Sequence, residues 1–265
     1  MGLNDRNPHL SRTVATAAWA AATMAVVGVA ATFIAGLTFP GPAQIVVAVV
    51  LVLGAGIWGP RALATRLKAP AATPLRPAAL PGAFAAGVAP AAVLCLLLWL
   101  TGSVQFSPGG LDAGTPLIAL LAAALGWCTE LFIRGTAFSI VEERAGGHVA
   151  LWVSVVLAAG VDIVLGRGPL AVLTLGGMGV LWGRMRLADG NPAGAALCHA
   201  AWNGVLAVAL GVGLGTGSAS LLLPGPQWWA GLPGHGQGGV AALAVAVGCA
   251  TTAAPWLLPE SPGPR

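Results

Sequence analysis

Charge is what this sequence has least of. Its 265 residues include 12 Lys and Arg and 8 Asp and Glu, whereas 57% are hydrophobic. A soluble domain carries about 25% charged residues. The chain has too few to cover a water-facing surface, so the composition leaves a multi-span membrane protein. Strand-like alternation is also missing, and Ala and Leu dominate runs of near-span length. That excludes barrel strands in favour of helices. The four cysteines, Cys95, Cys128, Cys198 and Cys249, lie in apolar runs with no C-x-x-C step. Their placement argues against disulfides and a zinc cluster and reads as small buried hydrophobes. The net charge of +4 does not point to nucleic acid, because the basic residues sit at span ends without an aromatic-basic surface. No soluble domain and no internal repeat is visible.

What is present is a series of eight apolar runs. A polar tail at 1–13 precedes the first, at 14–37, which exceeds the about 7–15 residues of a signal-peptide core and reads as a retained span. The others lie near 43–58, 81–102, 116–138, 148–166, 169–182, 193–214 and 239–258. The predicted fold is therefore all-α, a polytopic bundle of eight transmembrane helices. A basic, proline-rich loop with Arg61, Arg66, Lys68 and Arg76 follows the second run. A Gly/Pro loop containing Trp228 and Trp229 follows the seventh. The link Glu142-Glu143-Arg144-Ala145-Gly146-Gly147 reads as a solvated turn. In the sixth run, Gly179 and Gly183 form a G-x-x-x-G step behind Gly176 and Gly177, which suits close helix packing.

Charge placement orients the bundle. With the N-terminus inside, Arg6, Arg12, Arg61, Arg66, Lys68, Arg76, Arg144, Arg184, Arg186 and Arg265 are cytoplasmic, Arg167 is external and Arg134 is intramembrane. This satisfies the positive-inside rule. The expected location is the inner (plasma) membrane, multi-pass, with both termini cytoplasmic.

Five strong polar groups interrupt the apolar runs: Glu130 and Arg134 on span four, Asp162 on span five, and His199 and Asn203 on span seven. Each pair on one span is four residues apart and shares a helix face. Charged groups at membrane depth are costly, face the bundle interior and mark function. A rise of about 1.5 Å per residue puts Glu130 and Asn203 roughly 15 Å from their cytoplasmic helix ends, His199 roughly 10 Å and Asp162 roughly 20 Å. Asp162 is expected to join the others by a tilt or a broken helix. A His can act as general base and an Asn amide can stabilise an oxyanion. Glu130 with Arg134 forms an ion pair that locks its helix.

The segment Thr129-Glu130-Leu131-Phe132-Ile133-Arg134-Gly135 resembles the E-E-x-x-x-R-G motif of the CPBP family, the CAAX-protease and bacteriocin-processing intramembrane endopeptidases. His199-Ala200-Ala201-Trp202-Asn203 resembles that family's H-x-x-x-N. The glycine-rich sixth span and the Asn191 turn before span seven are similar to it as well. The resemblance implies an eight-helix bundle with a CPBP-like core at 116–214 (helices four to seven). It is flanked by the tail at 1–13, accessory helices at 14–115, and a last part at 215–265 holding the external loop, helix eight and a short tail. The family's F-x-x-x-H falls at Ala158-Ala159-Gly160-Val161-Asp162, so Asp162 replaces the first His and Thr129 the first Glu. In the family that Glu activates water with help from both His, and the second Glu pairs with the Arg. A threonine hydroxyl has no useful basicity near neutral pH.

Candidate catalytic positions are thus Thr129, Glu130, Arg134, Asp162, His199 and Asn203. Three functions remain open. The first is hydrolysis of a hydrophobic or prenylated peptide, with Asp162 or Glu130 as displaced base and His199 as its partner. The second is an inactive pseudoprotease that binds a peptide or lipid for immunity or as a scaffold. The third is other chemistry on an isoprenoid substrate, with Asp162 as proton donor. Glu130, Asp162 and His199 could in principle ligate zinc, but H-E-x-x-H spacing is absent. No metal and no cofactor is expected, and the expected partners are the bilayer and a hydrophobic or prenylated substrate.

Overall fold

The computed structural model describes residues 42–67, 76–106, 115–164, 168–210, 222–224 and 239–252. The expected first span at 14–37 lies outside them, as do Arg6, Arg12, Lys68, Arg167, Trp228, Trp229 and Arg265.

Helix α1 is Pro42–Leu67. Its Ala48, Val49 and Val52 pack on Leu121, Ala124, Cys128 and Phe132. It does not stop near Trp58 but continues through Pro60, so Arg61 and Arg66 are helical rather than part of a loop. A Pro removes one N–H from the ladder, and here the Thr136 hydroxyl donates to the Pro60 carbonyl at 3.4 Å, tying this stretch to a segment 76 residues further along the chain. Helix α2, Leu80–Leu100, follows a 3-10 turn at Pro77–Ala79. Next comes β1, Val104–Phe106, which pairs antiparallel with β2, Leu222–Pro224, in the register Val104↔Pro224, Gln105↔Leu223 and Phe106↔Leu222. This small ladder qualifies the all-α reading. Three-residue strands are too short to show a period in sequence.

Helix α3, Thr115–Glu130, passes into a π-helical segment, Leu131–Ala137, and then α4, Phe138–Ala145. Helix α5, Gly147–Val164, begins after Gly146, whose φ of 82° is the left-handed region that glycine tolerates. The expected solvated turn at Glu142–Arg144 is therefore the last turn of α4. Helix α6, Pro169–Asp189, extends past the expected end at Trp182 and stops at Gly190, whose N–H caps the Arg186 carbonyl at 2.9 Å. Helix α7, Ala193–Leu210, opens where the Asn191 side-chain oxygen accepts the Ala193 N–H at 2.9 Å. Helix α8 is Val240–Thr252.

The core gathers around α7. Its Ala195, Cys198, Trp202 and Leu206 meet Leu94 and Leu98 of α2, Met178 and Trp182 of α6, and Ala242 and Ala246 of α8. Large apolar side chains point outward instead, among them Trp58, Leu100, Val156 and Ile163. That inverts a soluble protein's pattern and suits lipid as solvent. Among the described residues, three stretches are long and apolar enough to cross a bilayer: Pro77–Leu100, Thr115–Ala145 and Ala193–Leu210. Val46–Ala62, Gly147–Ile163 and Val240–Thr252 are shorter apolar helices.

Contacts fix the helix directions. A Cβ on Gly87 would strike the Cys198 carbonyl and one on Gly194 would touch Ala83, so α2 and α7 run parallel. Asn203 reaches Ala122 while Gly126 faces His199, so α3 runs antiparallel to both. Gly183 faces Leu151 and Gly179 faces Val155, so the expected G-x-x-x-G step is an antiparallel seat for α5. One end of the bundle thereby collects Arg61, Arg76, Arg144, Arg184 and Arg186. The last two are not loop charges, however: Arg184 and Arg186 are buried on α6.

Candidate functional site

Glu130 ends α3 and is fully buried. Its Oε1 accepts from Arg134 Nη1 at 2.6 Å, across the single helical turn read from the sequence. The same oxygen lies 2.8 Å from His199 Nδ1 on α7. A carboxylate there requires the proton on Nδ1, which fixes the tautomer and leaves Nε2 as the basic nitrogen. One member of the His–Asn pair therefore meets the Glu–Arg pair at a single oxygen. Glu130 Oε2 and Arg134 Nε are buried and have no hydrogen-bond partner among the described residues. Buried polar atoms in that condition are few in native proteins and call for an explanation.

Helix α6 supplies the rest of the cage. Arg134 Nη2 donates to the Gly179 carbonyl at 3.1 Å. A Cβ on Gly179 would stand 3.0 Å from that nitrogen, so a larger residue there would press on the guanidinium. Trp182 stacks on His199 with ring centroids 3.8 Å apart and planes at 11°. Its other neighbour is Arg134, whose guanidinium carbon is 5.5 Å from the ring centroid. The indole thus holds the imidazole plane and borders the cation at once. Trp182 was not among the sequence-derived candidates, although its place on the Gly179–Gly183 step was a signal.

Gly126, one turn before Glu130, lets α3 and α7 touch. A Cβ there would lie 2.8 Å from Asn203 Nδ2 and 3.1 Å from His199 Cδ2. Asn203 Nδ2 donates to the Ala122 carbonyl at 3.3 Å. Asn203 therefore stands one turn from His199 on the α3 face, as its spacing implied, with its amide engaging the backbone.

The two substituted positions behave differently from the pair. The Thr129 hydroxyl donates to the Leu125 carbonyl of its own helix at 2.8 Å. Asp162 is buried on α5. Ala158, one turn before it, packs on Ile133, and Phe138 and Val141 pack on Ala150 and Leu151. The chains run antiparallel, so one more turn along α5 brings Asp162 to about the axial level of Thr129 and Glu130. Glu130, Asp162 and His199 nevertheless do not close into a three-ligand metal group.

Residues 112–205 match the family model described as type II CAAX prenyl endopeptidase Rce1-like. The match is consistent with an intramembrane protease of the CPBP family, and it spans Glu130, Arg134, Asp162, His199 and Asn203. No curated protein and no solved structure matches the chain.

Proposed function

We propose, from the Rce1-like character of this core, that the protein is an intramembrane endopeptidase whose general base has moved from the carboxylate position to a Glu130–His199 dyad. The observation that carries the reading is one buried carboxylate oxygen 2.8 Å from His199 Nδ1 and 2.6 Å from Arg134 Nη1. In this reading His199 Nε2 takes a proton from water, and the hydroxide adds to the scissile carbonyl. Asn203 stabilises the oxyanion with its amide, and the imidazolium returns its proton to the leaving amine. Glu130 orients the ring and stabilises its charged form, as the buried acid does in a Ser-His-Asp triad. Thr129 has no part in it.

The substrate class is a hydrophobic or prenylated peptide presented from the membrane. The chain is taken as eight spans in the plasma membrane with both termini cytoplasmic, the core at 116–214 following accessory helices at 14–115. The basic end shared by Arg61, Arg76 and Arg144 supports that orientation.

Purified protein in detergent, given a quenched prenylated peptide, tests the reading. Wild type should cleave, and His199→Ala should lower the rate about 10²–10⁴-fold. Cleavage only by a Thr129→Glu/Asp162→His double variant would overturn it. That result would favour an inactive peptide- or lipid-binding relative, a reading that rests on the Thr129 hydroxyl being spent on Leu125.

A further inference from the structure

Arg186 sits one turn beyond Trp182 on α6, only 4% exposed. The sequence reading placed it among the cytoplasmic charges. In the structure its Nε donates to the Arg134 carbonyl at 3.0 Å. Its Nη2 donates to Ser139 Oγ at 3.1 Å and to Glu142 Oε2 at 3.2 Å. The guanidinium carbon lies 5.1 Å from the centroid of the Phe138 ring. Every one of these partners belongs to the π segment or to α4.

The backbone explains why such a clamp is needed. In an α-helix the Phe138 N–H would bond to the Arg134 carbonyl. Here it reaches one residue further back, to Ile133. The Arg134 carbonyl takes the Arg186 guanidinium instead, and the Gly135 carbonyl accepts from Ser139 Oγ at 2.6 Å. A π-helical turn holds an extra residue and occurs often at functional sites. If it closed to α, everything before it would rotate by about 100° relative to α4. Helix α4 is held to α5 by Phe138 and Val141 against Ala150 and Leu151. Closing the π turn would therefore turn Glu130 relative to α4.

We propose that Arg186 is a positioning residue: it fixes the π-helical register of Leu131–Ala137 and so aims Glu130 at His199. Its relevance to turnover rests on the dyad reading above. Only a planar fork serves here, because Nε and Nη2 must reach a carbonyl and two side chains in different directions, which an ammonium cannot copy.

The test uses full-length protein labelled with 15N-histidine in micelles, with the His199 resonances assigned from His199→Gln. Wild type should show a hydrogen-bonded Nδ1 proton on His199. Arg186→Gln should lose that signal and, where wild type cleaves, lower kcat about 10²-fold with little change in KM, as misplaced groups do. Arg186→Lys should not restore either, whereas Glu142→Gln, which removes only the ion pair, should keep the signal. If Arg186→Gln does not fold, Arg186→Lys is the deciding variant. A retained Nδ1 signal and rate in a folded Arg186 variant would overturn the inference. A wild type that never cleaves but loses the signal on Arg186 substitution would sink the protease reading and leave the positioning role standing.

Discussion

Glu130 satisfies two partners with one oxygen, and the consequences can be read at the level of single side chains. A buried ion pair gains little over an apolar pair of similar volume, but removing one partner strands a charge, at a cost of about 3–5 kcal/mol. Glu130→Leu should therefore lower thermal stability in detergent strongly, since Arg134 is fully buried. Glu130→Leu combined with Arg134→Met should recover most of that loss. Differential scanning of the three proteins measures it, and equal losses for single and double variants would show that the pair does not govern local stability. Trp182→Leu carries a different expectation. It should leave the Glu130–Arg134 pair in place yet release the His199 ring, so that cleavage falls while the ion pair's contribution to stability persists. The Glu–Arg and His–Asn pairings were legible because helix periodicity alone puts residues four apart on one face. Trp182 and Arg186 were not, because their roles depend on which helix α6 packs against, and periodicity carries no such information.

At the scale of helices, the approach of α3 to α7 depends on Gly126, and that of α6 to Arg134 on Gly179. Gly126→Ala would put a methyl 2.8 Å from Asn203 Nδ2 and 3.1 Å from His199 Cδ2 and the His199 carbonyl. Relief requires the helices to part, and overpacking of this kind costs about 1–3 kcal/mol. Gly160→Ala is the matched control, because a Cβ there meets nothing within 4 Å. It should stabilise α5 by about 0.5–1 kcal/mol through helix propensity. Thermal unfolding of both variants checks the pair, and a neutral Gly126→Ala would mean that the two helices have slack. The spans at 81–102, 116–138 and 193–214 were readable from hydropathy because they lack internal charge or pair it along one helix. The π segment was not, since a residue added to one turn leaves the apolar pattern almost unchanged. The added length of α1 and α6 was hidden for a related reason. Pro60 in one and Arg186 in the other are residues that mark helix ends when exposed, but here they lie within helices whose neighbours satisfy them.

For the whole molecule, the helix directions make an independent statement about topology. Parallel α2 and α7, antiparallel α3, and the α5–α6 antiparallel pair bring Arg76, Arg144 and the Gly190 turn to one end and Gly168 to the other. Hydropathy gave the expected spans, and the positive-inside rule turned that list into an expected orientation. Two of the charges the rule counts, Arg184 and Arg186, are buried, yet both still lie at the basic end of α6. Single cysteines at Arg76, Arg144 and Gly168 provide the check, since all three positions are exposed. An impermeant maleimide should label Arg76→Cys and Arg144→Cys only in inside-out vesicles, and Gly168→Cys only in right-side-out ones. Cys128 and Cys198 are fully buried, and the partly buried Cys95 and Cys249 are replaced by Ala in the background for labelling. Labelling of Arg144→Cys and Gly168→Cys from the same side would require α5 not to cross the membrane. Asp162 would then lose the axial match with Glu130 that its antiparallel packing confers.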